Sequence, residues 1–312
     1  MAGEILGLHH VTALCGDPVE NLRFYREVLG LRLVKKTVNF DNPKAYHFYF
    51  GDRIGRPGTL ITFFPHPAFR EGKPGAGEVR RTDFAVGAGA MGYWSERLGS
   101  FGVAAKRAAG FDGREALEFE DSDGTKLLVV EEDLTPLGSE VTPGSQVPVE
   151  RAITGIASVA VVVNSFEPTV EFLTESMGFS HLGDDGRRKW FGASSVGLAQ
   201  RIEVIEDPGA PRPVLGTGSV HHVAWRVTDA TAQARVRDRV EEKVVGLTPV
   251  RDRNYFQSIY FREPGNVIFE IATDSPGFLV DEDEARLGTA LKLPGQFEPY
   301  RAEIEEALPG LE

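Results

Sequence analysis

The chain has 312 residues, 41% hydrophobic and 26% charged, which exceeds the usual single-domain size and points to two domains or a fused set of smaller modules around a real core. Its net charge of −12 and pI near 5.2 repel polyanions and exclude nucleic acid and anionic membrane surfaces as expected partners, and no run approaches the roughly 20 apolar residues that span a bilayer. Cys15 is the only cysteine, which excludes an internal disulfide and a cysteine zinc cage; with no basic, apolar leader in MAGEILGLHHVTALCGDP, a reducing cytoplasm is the expected compartment.

In chain order, residues 7–17 (GLHHVTALCGD) alternate as a strand and end on Asp17. The next stretch, PVENLRFYREVLGLRLV, places Leu22, Phe24, Tyr25, Val28 and Leu29 at helical spacing, with Gly30 set to end the helix. AYHFYFGD and GTLITFFP then read as strands. The order strand, helix, strands recurs from about Arg81 to Glu132: TDFAVGA, a helix around MGYWSERLGSFGV, then ALEFED and TKLLVVEED. Residues 134–150, LTPLGSEVTPGSQVPVE, are rich in Pro, Gly, Ser and Thr and read as a linker. A third copy follows from about Ile153 to Asp207, with GIASVAVVV, a helix around PTVEFLTESMGF, KWFGA and QRIEVIED.

The fourth copy opens on GSVHHVAWRVTD and ends on QSIYFREP and NVIFEIATD. Its helix carries Val236, Val240 and Val244 at four-residue intervals, and Gly246 is its expected stop. A tail, residues 274–312, holds one expected helix, RAEIEEALPG. The organisation is therefore an N-terminal pair of modules at 5–133, the linker, a C-terminal pair at 151–273, and the tail.

Four such βαβββ modules resemble the vicinal oxygen chelate (glyoxalase, bleomycin-resistance, extradiol dioxygenase) superfamily. The resemblance implies an α+β fold whose paired modules curl their sheets into a cup, with metal ligands on the first and last strands of a module. His10 lies seven residues before Asp17 and His222 seven before Asp229, so they occupy one position in two copies. Side chains alternate along a strand, so His9 and His10, like His221 and His222, are expected on opposite faces. The superfamily pattern selects His10 and His222 as ligands.

Glu270 supplies the third, a carboxylate that would be costly in its apolar strand without a cation. Counting five from the glycine of each last strand, the matching position in module one is Phe63. Module two offers Val129, and module three an apolar position near Ile202. The third module's counterpart of the ligand histidine is Ala157, counted from Asn164. Modules one and four together therefore hold three ligands and share the metal cup. A lone strand histidine is usually a hydrogen-bonded core residue; two at matching repeat positions beside a carboxylate make a site. Two imidazoles and one carboxylate leave about three coordination positions open, as in non-haem Fe(II) oxygenases. Mn(II) suits the same donors.

Within the superfamily, LHHVT, YHFYFGDRIGRPGT, VHHVAW, DRNYFQSIYFREPGNVIFEIATD and DEDEARLGTALKLPGQFE resemble hydroquinone-type ring-cleaving dioxygenases. That resemblance implies an Fe(II)-dependent enzyme that opens a 1,4-dihydroxy aromatic and inserts both atoms of O2. It also implies roles for Arg253, Tyr260, Thr12, His9 and His221 around the metal, a small aromatic substrate, and a possible homo-oligomer. Asn254 departs from the glycine expected in relatives that cleave halogenated hydroquinones, so a plain or alkyl-substituted ring is equally expected. Tyr255 and Phe256 read as pocket walls; His47, His66 and His181, without repeat partners, read as loop or surface residues. The rival readings are a catechol extradiol dioxygenase, a glyoxalase-type isomerase or lyase with a fourth ligand, and a non-catalytic quinone- or drug-binding protein.

Overall fold

The structure, a computed structural model, describes residues 4–132, 145–193 and 200–311. Most of the expected linker, residues 134–144, lies outside the described residues. Module one consists of β1 (Gly7–Cys15), α1 (Pro18–Arg23), β2 (Arg32–Asn39), β3 (Asn42–Gly51) and β4 (Leu60–Pro65). Module two consists of β5 (Glu78–Val86), α2 (Met91–Ser100), β6 (Lys106–Ala109), β7 (Glu115–Glu120) and β8 (Lys126–Glu131). The third holds β9 (Ile153–Val163), α3 (Phe166–Glu171), β10 (Ser180–Asp184), β11 (Arg188–Gly192) and β12 (Arg201–Glu206). The fourth holds β13 (Val220–Val227), α4 (Ala230–Val240), β14 (Arg251–Asp252), β15 (Gln257–Arg262) and β16 (Ile268–Thr273). In the tail, α5 spans Arg301–Ala307. No helix among the described residues is long and apolar enough to cross a membrane.

The acids that mark the repeats are helix caps. Asp17 accepts from the Val19 amide at 2.7 Å and Asp229 from the Ala232 amide at 2.9 Å, satisfying N–H groups that a helix start leaves unpaired. In module three the cap position is Ser165, one residue past Asn164. After Arg23 the first helix continues as one wider π turn, Phe24–Val28, and Gly30 then turns the chain at φ 72°. The fourth helix stops earlier than expected. It ends at Val240, with arginines in its last turn, and Val244 packs on the core from beyond its end.

Among the described residues, sixteen strands form two eight-stranded sheets, in the orders β14-β15-β16-β13-β1-β4-β3-β2 and β10-β11-β12-β9-β5-β8-β7-β6. Modules one and four therefore share one sheet, and two and three the other. Each of the sequence halves 5–133 and 151–273 gives one module to each sheet, so neither sheet is built from one half. At the centre of the first sheet β1 and β13 run antiparallel, each flanked by the parallel last strand of its own module. The buried Gln200 joins the two sheets: its Oε1 accepts from Leu8 N at 2.8 Å, and its Nε2 donates to the carbonyls of Gly58 and Ile156. The strand that carries His9 and His10 is thus fixed on both edges and from behind.

Candidate metal centre

Each histidine pair sits in a β-bulge. Leu8 pairs with Trp225 and His10 with Ala224, leaving His9 extra; Thr12 pairs with His222 and Ala13 with Val220, leaving His221 extra. A bulge suspends side-chain alternation, so the expectation of opposite faces is corrected. The Nδ1 atoms of His9 and His10 lie 2.9 Å apart, and those of His221 and His222 lie 2.8 Å apart.

The other ring nitrogens converge. His10 Nε2 and His222 Nε2 lie 3.2 and 2.9 Å from Glu270 Oε2 and 3.4 Å from each other. Three donors about 2.1 Å from one ion, at right angles to one another, stand about 3 Å apart, so these three fit one metal on one face. All three residues are buried. Glu270 Oε1 accepts from Ser258 Oγ, whereas Oε2, aimed at the two imidazoles, has no hydrogen bond of its own. A buried carboxylate oxygen in that condition is what a cation would satisfy. Burial pushes the Glu270 carboxyl up, but His10 and His222 beside it hold it well below the usual carboxylate range. Burial, then the charge of His10, depresses His9 to about 3; burial, then His222, does the same for His221.

The donors open onto a cavity of about 470 Å³ lined by His10, His222, His221, Phe64, Phe256 and Tyr260, among others. Arg253 lines the cavity and donates from Nε to Tyr260 Oη at 3.0 Å and from Nη2 to the exposed Asp41 at 3.0 Å, where it also forms an ion pair. Burial, then Glu270, raises the Tyr260 phenol, which stays protonated. Phe256 is a cavity wall, while Tyr255 lies behind it, stacked on Phe278. Asn254 takes φ 67°, a left-handed conformation that asparagine and glycine both tolerate. Its departure from glycine therefore has a backbone reason.

Thr12, two residues after His10 on β1, is fully buried and lies 2.8 Å, oxygen to oxygen, from Thr62. Thr62 in turn lies 2.9 Å from His47 Nε2. His47 is thus a buried cavity residue on β3, not a loop or surface one. Alternation counted from Tyr49, two residues on and also lining the cavity, was the signal for it. His66 does sit in the turn after β4, and His181 is exposed on β10.

Strand register corrects the repeat positions. Tyr49 and Thr12 pair with Thr62 as Tyr260 and Ala224 pair with Glu270, so the counterpart of Glu270 in module one is Thr62, not Phe63. By the same register the second sheet matches His10 with Arg81, His222 with Ser158 rather than Ala157, and Glu270 with Glu203 rather than a position near Ile202. Leu128, not Val129, is module two's counterpart. Arg81 there donates to Asp83 at 2.6 and 3.0 Å and to Glu203 at 2.8 Å, and Ser158 Oγ bonds Asp83. A guanidinium thus neutralises carboxylates where the first sheet gathers metal donors.

The family model of the Glyoxalase/Bleomycin resistance protein/Dioxygenase superfamily matches residues 7–129 and 155–271. MhqE of Bacillus subtilis, provisionally named a ring-cleaving dioxygenase, is 44% identical over 98% of this chain and 99% of its own length. The chlorohydroquinone/hydroquinone 1,2-dioxygenase of Sphingobium indicum is 34% identical over 96% of this chain and 95% of its own. The crystal structure of a provisionally named dioxygenase from Bacillus subtilis superposes with a TM-score of 0.93 at 41% identity, covering 100% of this chain and 99% of that one.

Proposed function

The chain belongs to the Glyoxalase/Bleomycin resistance protein/Dioxygenase superfamily, and from that premise we propose that it opens a hydroquinone-type ring with O2, using Fe(II) held by His10, His222 and Glu270. Its full-length likeness to ring-cleaving dioxygenases makes it an oxidoreductase of that kind. The observation that carries the metal assignment is the buried trio of donors with Glu270 Oε2 left without a hydrogen bond.

Fe(II), when bound, supplies the reduced centre that O2 chemistry at an aromatic ring requires. The chain's own residues do the rest. His10 and His222 would hold the ion through Nε2, and each would then carry its proton on Nδ1 and donate it to the Nδ1 of its bulge neighbour. Neutral His9 and His221 accept there and hold the ligand rings in one orientation. Arg253 presents a fixed cationic fork, steadied by Tyr260, to a phenolate or an oxygen-derived anion. Phe64 and Phe256 give an aromatic ring apolar walls and keep water from the reacting face. Thr62 in the fourth position weighs against an isomerase with four ligands, since a hydroxyl does not replace a carboxylate there.

Anaerobic reconstitution with Fe(II), followed by O2 uptake with hydroquinone and catechol panels, tests the proposal. The expected result is one iron per chain and one O2 consumed per hydroquinone opened. Turnover of catechols alone, or product formed without O2 uptake, would overturn it.

A further inference from the structure

The pseudo-symmetry of the first sheet extends past the ligands. Register matches Thr62 with Glu270 and Tyr49 with Tyr260; two residues before each tyrosine along its strand, it matches His47 with Ser258. Ser258 bonds the carboxylate of Glu270, and His47 likewise bonds the hydroxyl of Thr62. Threonine is shorter than glutamate by two carbons, so a position that a fourth ligand would fill is left free. The imidazole of His47 stands beside that position, as Ser258 stands beside Glu270.

Elimination among the cavity's titratable groups points the same way. His9 and His221 accept at Nδ1 from the ligand histidines, so their Nε2 atoms carry protons and cannot accept another. Arg251 and Arg253 are cations, Asp41 is an exposed carboxylate held by both of them, and Tyr49 and Tyr260 are protonated phenols. His47 has Nε2 placed on Thr62, which is itself steadied by Thr12, while Nδ1 bonds to no described residue. In the tautomer that donates Nε2–H to Thr62, Nδ1 is left as an acceptor on a ring that lines the cavity.

Resting on the function proposed above, we infer that His47 is the proton acceptor of the reaction, taking at Nδ1 the proton of the substrate hydroxyl that seats on the module-one side of the ligand trio. The O–H bond breaks, its electron pair stays on the substrate oxygen as phenolate, and an N–H bond forms on His47. Burial, then the charges of His10, His222 and Arg253, depress His47, with Glu270 opposing; Asp41 and Arg251, paired with each other, are the remaining charged groups lining the cavity. His47 is therefore neutral before substrate arrives, and the phenolate left by the transfer is the countercharge that stabilises its imidazolium.

The test uses full-length protein loaded with redox-inert Zn(II), with 4-nitrophenol as probe and the absorbance of its bound phenolate followed against pH. His47→Gln keeps a polar side chain but offers no basic nitrogen, and Thr62→Val removes the oxygen that sets the tautomer. The expected result is a midpoint raised by about one pH unit, a tenfold change, in His47→Gln, and raised in Thr62→Val, with zinc content unchanged. Identical midpoints at equal zinc content would overturn the assignment. So would loss of zinc in His47→Gln, which would make His47 a support of the trio instead. If wild-type protein held neither zinc nor probe, the functional reading itself would fall, and this assignment with it.

Discussion

His9 and His10 show how one extra residue changes what a sequence can be made to say. Period-two alternation separates neighbours, yet the bulge brings their Nδ1 atoms to 2.9 Å, and nothing in LHHVT announces a bulge. The proposed ligands do not depend on alternation, because the superfamily pattern selects His10 and His222. His10→Ala, His222→Ala and Glu270→Ala are each expected to lose bound iron and ring cleavage. His9→Gln is expected to keep iron while turning over more slowly, by about tenfold or more; iron content and kcat on the same samples check this. The depressed histidines also set a pH dependence. Between their folded values of about 3 and the ordinary 6.5, His9 and His221 bind fewer protons folded than unfolded. Stability present above 6.5 is therefore lost as pH falls through that window. In metal-free protein the urea midpoint should drop from pH 6.5 to 4, and His9→Gln/His221→Gln should flatten the drop. An unaltered slope would assign the decline to other groups.

Among the elements, β1 and β13 were legible from the matching acids that follow them, and the first and fourth helices from apolar spacing. The third ligand strand was read one residue out in module one because glycine was matched with glycine. In the folded chain the left-handed turn residues are Gly58 and Asn266, and from each of these the site position lies four residues on, at Thr62 and Glu270. A backbone requirement met by two residue types hid the register. Likewise, the fourth helix ends six residues before Gly246, although that glycine does turn left-handed. The tail was read as little more than a helix, yet it backs the cavity. Lys35 on β2, fully buried, donates to Asp281 at 2.6 Å, to Glu282 and to the Phe278 carbonyl, and Phe278 packs behind Tyr49 and Tyr255. Lys35→Met would strand these acids without their cation. It is expected to cost about 3 kcal/mol or more of unfolding free energy and to lower turnover by loosening the cavity wall. Denaturant unfolding with kcat on the same variant measures both; an unchanged midpoint would make the tail a passive cover.

Across the whole molecule, the two sheets repeat one design with different contents. Composition and repeats revealed four modules, but not which positions of the second sheet answer to the ligands, because Arg81 and Ser158 share no residue type with His10 and His222, and Glu203, which does match Glu270, is missed by the register count. Arg81 supplies there a fixed positive charge where the first sheet assembles donors for an ion. Arg81→Ala leaves Asp83 and Glu203 buried without it and is expected to destabilise the protein by about 3–5 kcal/mol, while the iron content per chain stays at one. Loss of iron in that variant would show that the second sheet also takes part in metal binding. The measurement that bears most directly on the central claim is an anomalous difference map at the iron edge, from crystals loaded with Fe(II) and soaked with hydroquinone without O2. The expected map has one peak about 2.1 Å from His10 Nε2, His222 Nε2 and Glu270 Oε2, with the ring between Phe64 and Phe256. A peak on other residues, or hydroquinone bound away from that peak, would contradict it.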